Sequence, residues 1–127
     1  MKKYCLILIA FMFAMSGCKE KTLTEQLREG CVEDIKNPRR TKSEKEMAKL
    51  LLGWSYIVED RRDVPKGLML IKDAAESGNA RAQAYLGKFY SEGYYLEKDS
   101  AKALEWYQKA AAQGNQDANN ALLKMQH

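Results

Sequence analysis

Few side chains in this 127-residue sequence could carry out bond chemistry. There are three cysteines, Cys5, Cys18 and Cys31, and one histidine, His127, the last residue. A metal site built from them would need Cys or His ligands at short spacing. The sequence has no CxxC, HExxH, GxSxG or phosphate-binding glycine loop. Glu59, Asp60 and Asp63 crowd together, but such a cluster is ordinary in a charged turn. The expectation is therefore no catalytic residue, no metal ligand, no cofactor and no small-molecule substrate. Three aromatics with polar tips are the candidates for recognition: the adjacent pair Tyr94 and Tyr95, and Trp54. Side chains of this type combine large contact area with a hydrogen-bonding end, and they are enriched at binding hot spots.

The cysteines are explained by where they sit. "MKKYCLILIAFMFAMSGC" has a basic start at Lys2 and Lys3 and an apolar run from Tyr4 to Met15. That run is too short for a membrane span of about 20 residues. Small residues Ser16 and Gly17 follow, then Cys18, which is the layout of a secretory signal. "MSGC" resembles the bacterial lipobox, with Met15 where that motif usually has Leu. The resemblance implies cleavage before Cys18, acyl chains on Cys18, and membrane anchoring through them. Lys19 after the cysteine, where the pattern for inner-membrane retention has Asp, implies an outer membrane facing the periplasm. Cys5 leaves with the signal and Cys18 carries lipid, so Cys31 has no intramolecular partner. Its plain reading is a small buried hydrophobe. The net charge is +4; without Lys2 and Lys3, 19 basic residues face 17 acidic ones. That mild balance gives no case for nucleic-acid binding, which needs a concentrated basic face.

The elements that must position Trp54, Tyr94 and Tyr95 announce themselves by repetition. "KDAAESGN" (72–79) returns as "KAAAQGN" (109–115). Gly78 and Gly114 are 36 apart, as are Asn79 and Asn115; Gly53 and Gly87 are 34 apart, as are Tyr56 and Tyr90. The offsets agree if the loop between Tyr90 and Asp99 is two residues longer than its counterpart between Tyr56 and Asp63. A period of about 34–36 residues marks an array of helical hairpins. Helix signals fit it. Leu23, Leu27, Cys31 and Ile35 form a stripe after a cap at Thr22 or Thr24, and Asn37-Pro38 ends it. Ser43 with Glu46 reads as a capping box opening a helix that carries Met47, Leu50, Leu51, Trp54 and Ile57. Pro65 suits a first turn. Gly78 and Gly114 suit left-handed helix ends, and Asn79, Asn115 and Asp99 or Ser100 suit N-caps. Small residues (Ala82, Gly87, Ala103, Ala110 and Ala111) allow close helix approach, with Tyr90, Trp106 and Tyr107 filling the wider gaps. Nothing alternates with period two, so no sheet is expected.

Residues 80–118 resemble a Sel-one-like repeat, a relative of the tetratricopeptide repeat. The motif residues are Ala82, Leu86, Gly87, Tyr90, Gly93, Leu96, Asp99, Ala103, Trp106, Lys109, Ala110, Ala111, Gln113, Gly114 and Ala118. Residues 48–82 form a weaker copy, with Leu70 at the tryptophan position, Gly67 for Ala103, and no loop glycine. Tyr95 also departs from the pattern, which often has glycine there.

The resemblance implies an all-α chain, a short α-solenoid of antiparallel helix hairpins with N- and C-terminal capping helices. Its divisions are a lipoprotein signal at 1–17, a lipidated tether at 18–22 and a capping helix with linker at 23–42. A degenerate repeat follows at 43–79, then a repeat at 80–114 and a capping helix at 115–127. The implied function is that of an adaptor or scaffold that binds protein partners, held at the cell envelope by Cys18. The alternative is an immunity protein that neutralises a toxic enzyme in the periplasm. The partner surface is expected at Tyr94, Tyr95 and the neighbouring side of the 80–92 helix, with Trp54 as a second candidate. Trp54 aligns with Lys88 and so reads as a surface or first-helix boundary residue. Arg39-Arg40 and Arg61-Arg62 are candidate contacts for acidic groups, against the plainer reading of solvated loops.

Overall fold

The computed structural model describes residues 22–59 and 63–126. The signal segment, Cys18, Arg61, Arg62 and His127 lie outside them. Six helices follow in order: α1 (Leu23–Lys36), α2 (Lys42–Glu59), α3 (Val64–Glu76), α4 (Ala80–Glu92), α5 (Ser100–Ala112) and α6 (Gln116–Met125). The described residues contain no strand. Each helix packs mainly on its neighbours in sequence, which is the layout of a hairpin stack.

Local chemistry sets the helix ends. Thr22 and Glu25 close a capping box on α1, with the Thr22 side chain accepting from the Glu25 N–H. Asn79, Asp99 and Asn115 each accept from a backbone N–H three residues on, at 3.0, 3.0 and 2.9 Å. Gly78 and Gly114 have φ of +104° and +83°, the left-handed turn that lets one helix stop and the next begin at once. Pro65 lies in the first turn of α3, where no N–H is missed.

The box expected at Ser43 and Glu46 is instead made by Thr41 and Glu44. Thr41 Oγ1 accepts from the Glu44 N–H at 3.2 Å, and the Thr41 N–H donates to Glu44 Oε2 at 2.8 Å. The two T/S-x-x-E patterns overlap by two residues, and the earlier one starts the helix. Ser43 is then already helical and cannot cap. Glu46 turns inward and is buried, within 3.2 Å of Lys49 Nζ, which also reaches Asp73 of α3 at 2.7 Å.

Two cores result, one for each seam. Leu50 and Ile57 of α2, Ile71, Ala74 and Ala75 of α3, and Ala82, Leu86 and Phe89 of α4 form the first. Ala84, Ala103, Tyr107, Ala110 and Ala118 form the second, between α4, α5 and α6. Small residues bring the axes together, as expected. A Cβ on Gly87 would stand 2.7 Å from the Tyr107 ring. A Cβ on Gly53 would stand 2.8 Å from the Gly67 carbonyl, so in the first hairpin a pair of glycines sets the close approach. Buried Gln83 joins the two hairpins. Its side-chain amide donates to the Ala75 carbonyl at the end of α3, and its oxygen accepts from Gln113 after α5.

The stripe on α1 is only half used. Cys31 and Ile35 are partly covered, but Leu23 and Leu27 remain 74% and 60% exposed, and α1 has no fully buried residue. A repeat of four slips by about 40° per step against a 3.6-residue turn, so the stripe winds off the packed side. Cys31 keeps a raised thiol pKa, chiefly from burial and then from Asp34, which fits a small apolar contact. Arg40 is committed to Asp34 and Glu44 at 2.8 and 3.0 Å. It is thus a local brace of the α1–α2 turn.

Candidate partner-binding face

The register that generates the repeat also aligns a face. Moving 34 residues carries Met47, Leu51, Trp54 and Val58 of α2 onto Arg81, Tyr85, Lys88 and Glu92 of α4. Moving a further 36 carries the first three of these onto Asp117, Ala121 and Lys124 of α6. These α4 and α6 residues line a groove of about 820 Å³ between the two helices. Side chains of Tyr107 and Ser91 reach the same groove. Stacked hairpins present such continuous surfaces because the same position of each first helix faces the same way.

The chemistry of the face is graded. Its α2 end is apolar, with Leu51 and Val58 exposed by 56% and 69% beside half-buried Met47 and Trp54. Its α4 and α6 part carries Arg81, Lys88 and Lys124 together with Glu92 and Asp117. One end can cover apolar side chains, and the other can pair with charged or polar groups. No set of His, Cys, Asp and Glu among the described residues is placed to hold a metal ion.

Trp54, Tyr95 and Tyr94 are joined by a residue that was not singled out, Phe89. Trp54 meets Tyr85 and Phe89 edge-on, with centroids 4.9 and 5.8 Å apart. Phe89 meets Tyr95 at 5.4 Å, and Tyr95 lies 6.4 Å from Tyr94. Edge-to-face contacts at these separations are favourable. The indole of half-buried Trp54 thus packs on α4. Its N–H is buried with no hydrogen-bond acceptor among the described residues.

The tyrosine loop is tightly constrained. Tyr95 is the one non-glycine with positive φ, +60°, among the described residues. The Leu96 N–H donates to the Tyr94 carbonyl at 2.7 Å, a three-residue turn around Tyr95. Leu96 packs against the first core, and the Asp99 N–H closes the loop on the Tyr90 carbonyl. The chain therefore keeps a backbone suited to glycine while placing a tyrosine there, with both Tyr94 and Tyr95 exposed. Cationic side chains border other rings: Arg28 and Lys66 lie 4.4 and 4.2 Å from the Tyr56 centroid, and Lys109 lies 4.4 Å from that of Trp106. Arg28 also donates to the Ser55 hydroxyl and carbonyl, fastening α1 to α2.

Comparison with known proteins accords with this geometry. The family model for the Sel1 repeat matches residues 80–115. Two curated proteins similar to this chain are DAP3-binding cell death enhancer 1 of Rattus norvegicus, 31% identical over 75 residues, and its Mus musculus counterpart, 29% identical over 75 residues. The aligned part is 59% of this chain, and the chain spans about 15% of the length of either relative. No solved structure matches. Sel1 repeats are generally non-enzymatic protein-interaction modules. The segment from Ala80 to Asn115 matches the Sel1 repeat model and is set in an all-α solenoid of helical hairpins.

Proposed function

We propose that this chain is an envelope lipoprotein, anchored through acyl chains on Cys18, whose graded helical face binds a protein partner as an adaptor or scaffold. The observation that carries the binding reading is the exposed pair Leu51 and Val58, aligned by the repeat with the charged groove of α4 and α6. A solvent-facing apolar edge running into fixed charges suits an extended or helical protein segment with matching chemistry. The relatives bear the name of a protein that binds another protein, which agrees with this reading. Tyr94 and Tyr95 stand at the end of the aromatic row and supply contacts at the rim. The anchor reading rests on "MSGC" behind a basic and apolar leader. No helix among the described residues is long and apolar enough to cross a membrane.

Site-specific photo-crosslinking in intact cells tests the proposal. A photoreactive residue at Leu51 or Val58 is expected to trap a defined protein. One at Met69, equally exposed at 70% but on α3 and off this face, is expected not to. Equal trapping at all three positions would remove the face from the account. Labelled fatty acid should enter the wild-type protein but not Cys18→Ser; no incorporation into the wild type would remove the anchor.

A further inference from the structure

We propose that the first two turns of α1 rest on the lipid surface to which Cys18 is anchored, with Leu23 and Leu27 set into its interfacial layer. This rests on the lipid-anchor reading above. The two leucines are i and i+4, about 40° apart around the helix, and both point away from α2. Gly30 lies on the same side, and a Cβ there would meet nothing within 4 Å. Exposed Gln26 borders it. This end of α1 thus offers a small uncharged face. Glu25, Glu29 and Glu33 fall roughly 200–280° round from Leu23. Asp34 returns to the leucine side only about 16 Å further along, where it is paired with Arg40. The helix therefore meets a surface by its N-terminal end, at an angle, and not along its whole length.

The chain says what that surface is. Leu23 follows Cys18 by five residues, so even a fully extended tether holds it within about 17 Å of the acylated residue. Lys19 and Lys21 flank Glu20 in between, giving the tether a net positive charge for anionic headgroups. Two leucines cannot anchor a protein, and the acyl chains make that unnecessary. Their effect is orientation. Because each helix packs mainly on its neighbours in sequence, seating α1 places the groove between α4 and α6 further along the stack from the bilayer.

The test uses the full acylated protein in vesicles of neutral phospholipid mixed with phosphatidylglycerol, with Cys31→Ala and an environment-sensitive dye on Leu27→Cys. The dye is expected to shift to shorter wavelength and to be quenched by nitroxide-labelled lipid. The same dye on Met69→Cys is expected to do neither. Adding Leu23→Asp should abolish the quenching while leaving the melting temperature unchanged, since Leu23 is largely exposed. A water-like, unquenched dye at position 27 in protein that floats with the vesicles would overturn this inference and leave the anchor standing. A shift that appears without vesicles and grows with protein concentration would overturn it in favour of a second copy. Absence of acyl mass on Cys18 would overturn both readings together.

Discussion

At the scale of single residues, Tyr95 carries opposing terms. A left-handed backbone costs a non-glycine residue about 1–2 kcal/mol, and the edge-on contact with Phe89 returns about 0.5–1.5 kcal/mol. Tyr95→Gly should therefore change stability by less than about 1 kcal/mol, as read by denaturant melts, while removing an exposed ring. If Tyr94 and Tyr95 are rim anchors, changing both to Ala should weaken partner binding by about 2 kcal/mol, roughly thirtyfold. Trp54 makes a cleaner case. Trp54→Phe keeps an aromatic ring against Tyr85 and Phe89 and removes a buried, unsatisfied N–H, so it should be neutral or stabilising. A loss of more than about 1 kcal/mol would mean that the indole N–H has a partner in solution. The identities of these aromatics as candidates were legible in the sequence, because adjacent tyrosines in a lengthened loop are conspicuous. Phe89 was not, because its role depends on α2 and α4 lying side by side, which no local pattern encodes.

At the scale of elements, caps and glycines decide where helices begin and how closely they approach. Thr41→Ala should destabilise by about 0.5–2 kcal/mol and Ser43→Ala by much less, because only Thr41 caps α2. The Thr41 N–H and hydroxyl hold the Glu44 carboxyl below its usual range, with Arg40 adding to this. A depressed folded-state pKa gives stability that is fully present above the unfolded value, about 4.3 for Glu. It is lost as pH falls from there through the folded value. Glu44→Gln should flatten that part of the acid-unfolding profile. Gly53→Ala should cost more than Gly87→Ala, though both should destabilise by about 1–3 kcal/mol. The added methyl at 53 meets the Gly67 backbone as well as Ile71, whereas at 87 it meets the Tyr107 ring, which can shift. Most element boundaries could be read from Gly78-Asn79, Gly114-Asn115 and Asp99, where stop and cap residues adjoin. The start of α2 could not, because two overlapping capping boxes compete and only the geometry of the preceding turn chooses between them.

At the scale of the whole molecule, the period of 34–36 residues was enough to give the hairpin stack, and with it the two cores. The graded face proposed to bind a partner was only half legible. Leu51 reads as part of the apolar stripe of α2, Trp54 as a candidate aromatic and Lys88 as a surface position, while Val58 and Lys124 carry no local signal. They become one surface only when the offsets of 34 and 36 residues are imposed on stacked helices. The exposed Leu23 and Leu27 were hidden for the converse reason: a four-residue stripe looks continuous in sequence but turns away from its neighbour in space. The central claim is that the graded face across α2, α4 and α6 binds a protein. Its most direct test is the affinity of the crosslinked partner, once purified, for the wild type and for the Leu51→Asp, Val58→Asp double variant. Both side chains are exposed, so the variant should melt like the wild type, yet bind at least about thirtyfold more weakly. A double variant that folds normally and binds with unchanged affinity would contradict the account.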